Sequence, residues 1–223
     1  MLRYYDERAS EYEEAYVRGT GTASIRDPDV FRREAALLPG VVERFARGRI
    51  VDVACGTGFW LSHYAGLCSS MTLVDQSGRM LDECRKKTEA QGVAARCTVV
   101  QADVFEHEFA ERAYDCALVG FLVSHLTEDQ ERFVFEKLGR MLDASGRFLI
   151  LDSAWSPERA RFNAKIEQQE RRLNDGTRFE VYKRYIDRQD IDGWSTKYGV
   201  QLAIEHFGTA FVAVSGTFPR GRV

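Results

Sequence analysis

Three short stretches carry residue types that could hold a nucleotide. The first, from Ile50 to Trp60, is an apolar run ending in Asp52, then a turn containing Ala54, Gly56 and Gly58, then a helix start. A buried parallel strand hands over to a nucleotide-binding loop in this way. Glycine lets the backbone approach a ligand closely, and the following helix start offers free N–H groups. In the second, Met71 to Val74 reads as a short strand and ends in Asp75. Asp75 lies 75 − 56 = 19 residues beyond Gly56, a distance suited to a carboxylate on a ribose diol. In the third, Cys97 to Ala102 leads to Asp103, placed to accept from an adenine amino group. The dinucleotide fingerprint needs a third glycine three residues after Gly58; Leu61 stands there, which disfavours a nicotinamide or flavin site.

Together these stretches resemble the class I S-adenosylmethionine-dependent methyltransferases of small-molecule type, over most of residues 1–152. Ala54 stands where many members carry glycine and is read as neutral. The resemblance implies S-adenosyl-L-methionine as cofactor and S-adenosyl-L-homocysteine as product. It implies cofactor contacts from Tyr5, Tyr12, Asp52, Ala54, Gly56, Gly58, Asp75, Gln76, Met80, Asp103, Val104 and Phe121. Asp52 and the Gly56–Gly58 loop would support the methionine end, Asp75 the ribose and Asp103 the adenine.

Methyl transfer is an in-line displacement that depends mostly on proximity and orientation, so few acid–base residues are needed. Three groups outside the cofactor motifs remain candidates. His125 follows the fourth strand, where it could orient an oxygen nucleophile or take its proton; alternatively it caps the next helix. Tyr5 and Tyr12 lie in an opening helix that could close over a sulfonium, or simply pack on the core. Arg171 and Lys183 belong to a basic segment that could hold an oxyanion, or form a solvated face paired with Glu167, Glu170 and Glu180. With Asp175-Gly176 between them, they resemble the pattern of phosphonate O-methyltransferases of the dehydrophos type. That likeness implies Arg171 and Lys183 as substrate ligands and His125 as the catalytic residue. The expected acceptor is an oxygen of a small, anionic phosphonate or carboxylate. N- or C-methylation of an amine or ring metabolite, with His125 as base, and cofactor binding without transfer both stay open.

The elements that must position these residues alternate. Strands are expected near 49–53, 71–75, 96–100, 114–120 and 147–151, with helices between them, including 128–142. Asp27-Pro28 caps a helix running to about Arg47. This rhythm argues for an α/β fold with a parallel sheet and helices on both faces. The resemblance makes it a Rossmann-like, seven-stranded, mostly parallel sheet with an antiparallel last strand. The chain reads as one domain: a helical lid (1–48), a cofactor core (49–152), a substrate-cap insertion (153–186) and a terminal helix and hairpin (187–223). In the insertion, Pro157 is expected to open a polar helix through Ala160, Phe162, Ile166 and Leu173, with 177–185 a strand. Gly19–Gly21 is a plausible hinge for the lid, and 219–223 a disordered tail.

Composition bounds the partners. The 223 residues are 44% hydrophobic and 29% charged, with a formal net charge of −3, which gives no reason to expect nucleic acid. Apolar runs are too short for a membrane span, and residues 1–6 show no signal-peptide core. Five scattered cysteines suggest a reducing cytoplasm without disulfides; four histidines show no ligand spacing, so no protein-bound metal is expected. A homodimer is compatible with this reading.

Overall fold

The computed structural model describes residues 1–14, 25–159 and 164–219. The expected hinge at Gly19–Gly21, part of the helix expected after Pro157 and the tail from Arg220 lie outside the described residues. In chain order the elements are α1 (Leu2–Arg8), α2 (Pro28–Phe45), β1 (Gly48–Val53), α3 (Leu61–Tyr64), β2 (Cys68–Asp75), α4 (Gly78–Ala90), β3 (Cys97–Gln101), β4 (Tyr114–Gly120), α5 (Glu128–Met141), β5 (Leu142–Ser153), β6 (Ile166–Arg172), β7 (Arg178–Arg184), α6 (Arg188–Tyr198), β8 (Gln201–Phe207) and β9 (Phe211–Thr217).

Seven strands form one sheet in the order β3-β2-β1-β4-β5-β9-β8. The first five are parallel, and β9 runs antiparallel between β5 and β8. Because successive strand residues point to opposite faces, the apolar runs split between two cores. Ile50, Leu149 and Leu151 face α2, α3 and α4 among Phe31, Leu38, Tyr64 and Leu81. Val51, Val53, Phe148 and Ile150 face α5 and α6 among Phe135, Leu138 and Trp194. Helix starts follow their chemistry: Asp27 accepts from Asp29 N ahead of Pro28, and Thr127 and Asp187 each form a capping box. Among the described residues, no helix is long and apolar enough to cross a membrane.

The insertion corrects one expectation. Ile166 to Arg172 is a strand, not the continuation of a helix from Pro157, and it pairs antiparallel with β7 in a separate two-stranded sheet. The apolar residues that suggested helical spacing are too few to bury a helix face. Pairing with the alternating β7 satisfies the backbone instead. The pairing matches Arg171 with Phe179, Gln169 with Val181 and Glu167 with Lys183. Gln169, Arg171, Val181 and Lys183 are therefore on one buried face, while Glu170, Arg172, Arg178 and Glu180 are exposed on the other. Tyr4 of α1 packs against Leu173 and Val181, which seats the N-terminal helix on this hairpin.

Candidate functional site

The carboxyl ends of β1 to β4 converge on one cavity. Its lining includes Tyr5, Tyr12, Ala54, Gly56, Asp75, Gln76, Met80, Asp103, Val104, Phe121 and His125. The chain turns sharply out of β1: Ala54, Gly56 and Gly58 have φ of 57°, 56° and 70°. Gly58 is needed twice over, for its left-handed backbone and because a Cβ there would lie 2.8 Å from Cys84 Sγ. Asp75 ties this turn to β2: one carboxylate oxygen accepts from Gly56 N at 2.9 Å and the other from Ser77 N at 2.8 Å. Burial raises its pKa against those two backbone bonds. After β3, Asp103 accepts from Phe105 N at 2.9 Å. An added Cβ at Gly56 would meet Met80 and Tyr12 at 4.0 Å, ordinary contact distance, and both of these residues line the same cavity.

Asp52 and Gly58 do not line this cavity. Asp52 is buried beneath the turn and accepts from Tyr64 Oη at 2.7 Å. Burial pushes its pKa up to about 7, with Tyr64 pulling it down and Asp75 adding to the rise.

A second cavity adjoins the first. It is lined by Tyr4, Tyr5, Arg8, Tyr12, Phe31, Phe121, His125, Ser153, Arg159, Arg171, Lys183, Tyr185, Ala210 and Phe211. The structure thus brings Arg171 and Lys183 together with His125, and Tyr5, Tyr12, Phe121 and His125 line both cavities. Among the described residues, no aspartate or glutamate lines the second cavity, whereas Arg8, Arg159, Arg171 and Lys183 do. Arg171 and Lys183 are 9% and 5% exposed, so neither sits on a solvated face. Glu170, on the outer face, pairs with Arg178 at 3.3 Å instead. Lys183 Nζ donates to Ser124 Oγ and lies 3.7 Å from Asp152. Burial, opposed by Asp152 and reinforced by Arg171 and Arg159, brings its pKa down to about 8.

His125 occupies a 3₁₀ turn after β4. Its Nδ1 is 2.8 Å from Tyr182 O, and its Nε2 is 3.1 Å from Tyr5 Oη. A carbonyl only accepts, so Nδ1 carries the proton; in the neutral ring Nε2 is then an acceptor, and Tyr5 donates to it. Burial, with Lys183, Arg171 and Arg8 nearby, holds the His125 pKa well below the usual imidazole value, against the Tyr182 bond.

Arg8 and Arg159 line the second cavity without any signal in the sequence. Arg8 lies far from β7 along the chain and is brought there by the packing of α1, while Arg159 lies within the expected cap segment between β5 and β6 but carries no pattern that singles it out.

A family model described as a methyltransferase domain matches residues 50–146. The chain is 29% identical over 107 residues to the ubiquinone/menaquinone biosynthesis C-methyltransferase UbiE of Pseudomonas fluorescens (strain SBW25). That stretch is 47% of this chain and 41% of the relative, so the match spans less than half of either. Among solved structures, the DhpI–SAH complex is similar over 98% of this chain and 95% of that one, with a TM-score of 0.75 and 22% identity. The DhpI–SAM–HEP complex gives a TM-score of 0.75 at 21% identity, over 97% and 95%. At such identities the likeness establishes the fold.

Proposed function

We propose that this chain, a class I S-adenosylmethionine-dependent methyltransferase by its fold and matched domain, transfers a methyl group to an oxygen of a small anionic metabolite. One observation carries the reading. A cavity edged by carboxylates and apolar groups abuts a cavity lined by cations, and the two share Tyr5, Tyr12, Phe121 and His125.

The first cavity suits S-adenosylmethionine. Asp75 holds the ribose diol with the lone pairs left by Gly56 and Ser77, and Asp103 with Val104 receives the adenine. Gln76 and Met80 line the same space, and the turn from Ala54 to Gly56 faces the methionine end. Asp52 acts from beneath the turn. Likeness to structures solved with SAM and SAH supports this choice. When bound, the cofactor supplies an electrophilic methyl on a sulfonium.

The chain's own residues do the rest. Tyr5 and Tyr12 present aromatic faces and hydroxyls where the cavities meet. Arg171 and Lys183 hold the acceptor's oxyanion by charge-assisted bonds. His125, whose Nε2 accepts from Tyr5 Oη, fixes Tyr5 where the cavities meet and so helps orient the attacking oxygen and exclude water beside it. A phosphonate or carboxylate oxygen is already ionised near neutral pH and needs no strong base. A second reading, methylation of carbon or nitrogen, is favoured by one feature: His125 Nε2 is an acceptor and could take a proton from such an acceptor atom.

A turnover screen of small phosphonates, carboxylates, phenols and amines comes first. With an acceptor found, Arg171→Ala and Lys183→Ala should raise its KM and leave cofactor affinity nearly intact; His125→Ala should mainly lower kcat. Asp75→Ala should weaken cofactor binding roughly tenfold or more, as loss of a hydrogen bond to a charged acceptor does. Turnover of neutral or cationic acceptors alone, with Arg171→Ala and Lys183→Ala silent, would sink the anionic reading and leave the second.

A further inference from the structure

We propose that Arg159 is a third acceptor-binding cation and that Glu34, on a distant helix, positions it through the Ala210–Phe211 peptide. The inference rests on the anionic-acceptor reading above.

Arg159 is 4% exposed yet lines the second cavity. Its Nε donates to Ala154 O at 2.8 Å and a terminal nitrogen donates to Ala210 O at 2.9 Å. Its Cζ lies 3.9 Å from the centroid of the Tyr185 ring. These contacts fix the guanidinium plane, but none of them is with a carboxylate. Asp152 and Glu34 lie close enough to favour its charge, but among the described residues neither carboxylate bonds it directly, and a buried guanidinium is costly unless its charge is well compensated. Asp152 accepts from Ser124 N and Ser153 N and faces Lys183. An anion entering the cavity would give this group the direct bond that neither carboxylate makes, and a fixed guanidinium is suited to an oxyanion.

Glu34 explains how the fold keeps Arg159 in place. It projects from α2, 9% exposed, into the turn between β8 and β9. One oxygen accepts from Thr209 N at 2.7 Å; the other accepts from Ala210 N at 2.9 Å and Phe211 N at 3.0 Å, with His206 Nε2 at 3.4 Å. A Cβ at Gly208 would lie 2.1 Å from this carboxylate, so the close approach requires glycine. The peptide joining Ala210 to Phe211 thus donates its N–H to Glu34 and offers its C=O to Arg159. Bonds in such a series polarise one another, and the carboxylate strengthens the carbonyl's hold on the cation. The turn also carries Ala210 and Phe211, which line the same cavity.

The test is a calorimetric titration of inorganic phosphate into the full-length chain saturated with S-adenosylhomocysteine. Arg159→Gln should bind phosphate at least tenfold more weakly than wild type, with S-adenosylhomocysteine affinity unchanged. Arg159→Lys, which keeps the charge without the fork, should fall between them, and it serves as the second variant if the glutamine protein does not fold. Glu34→Gln places an amide against backbone N–H groups and should weaken phosphate binding several-fold while sparing S-adenosylhomocysteine. A strut that merely joins two carbonyls would change the melting temperature and leave phosphate affinity alone. Wild-type phosphate affinity in Arg159→Gln, or in Arg159→Lys if only that folds, overturns the proposal; wild-type affinity in Glu34→Gln alone removes Glu34 from it. Loss of phosphate binding in Arg171→Ala but not in Arg159→Gln would leave the anionic reading standing and sink this one. No phosphate binding by wild type would overturn this proposal and leave the anionic reading to the acceptor screen.

Discussion

Lys183 and Asp52 show how burial sets the chemistry available to single residues. Lys183 shares its pocket with Arg159 and Arg171, and its pKa is pushed down to about 8 by burial first, then by those cations against the pull of Asp152. Below that value its ammonium supports an anionic acceptor; above it the charge is lost. In the proposed reaction, kcat/KM for an anionic acceptor should decline as pH rises past about 8, since this ratio reports the free enzyme. Lys183→Arg should move that decline out of the accessible range; an unchanged profile would assign it to another group. Asp52 titrates in the opposite sense to an ordinary ion-paired aspartate. Its folded-state pKa, about 7, lies above the ordinary aspartate value of 3.8, so between these the native protein holds a proton that the unfolded chain has released. Stability from this group is present below about 4, is lost as pH rises towards about 7, and is level above. Asp52→Asn keeps an acceptor for Tyr64 and removes the titration. Its melting temperature should exceed that of wild type at pH 8, and the advantage should shrink as pH falls. An advantage independent of pH would refute the assignment.

Among elements, the β6–β7 hairpin has the most to explain, because adjacent residues of β7 do different work. Strand alternation sends Lys183 into the second cavity and Arg184 the other way, where it pairs with Glu131 of α5. Glu131 also accepts from Tyr198 Oη of α6 at 2.6 Å and is 2% exposed. The hairpin is thereby tied to two helices of the main fold. Glu131→Ala would strand a guanidinium and a phenol in the interior, so denaturant unfolding should show a loss of about 3–5 kcal/mol. A loss under about 1 kcal/mol would mean the pair is screened as a surface ion pair is. The same alternation distinguishes the two readings of the basic segment. As a helix continuing from Pro157, Arg171 would have no fixed relation to Lys183; as paired strands, both occupy the buried face.

At the scale of the whole molecule, the N-terminal segment bridges both cavities. Asp6 accepts from Ser77 Oγ, and Glu13 takes Thr57 Oγ1 and Lys87, all on the β1–α4 side. Glu11 accepts from Asn174 N at 2.9 Å at the hairpin tip, and Tyr4 packs on Phe179. If this segment is a lid, S-adenosylhomocysteine should slow hydrogen exchange in residues 1–14 and 173–181 together. Slowing in neither region, at confirmed saturation, would make α1 ordinary packing. The division of labour between sequence and fold follows from range. Gly56 and Gly58 follow β1, Asp75 ends β2 and Asp103 follows β3, so local order along the chain already implies a shared edge. The alternating strands and helices are legible for the same reason: apolar period and caps are local properties. The cation cavity is legible only in part: Arg171 and Lys183 share one basic segment, whereas Arg8 and Arg159 come from other stretches, and a lone arginine reads the same on a solvated face as in a pocket. Nor does the sequence distinguish Asp52, buried on Tyr64, from Asp75, which lines the first cavity. The sequence by itself determined the sheet, its glycine turn and the carboxylates along its edge; the tertiary structure alone decided which charges lose their water together, because desolvation depends on neighbours that are distant in the chain.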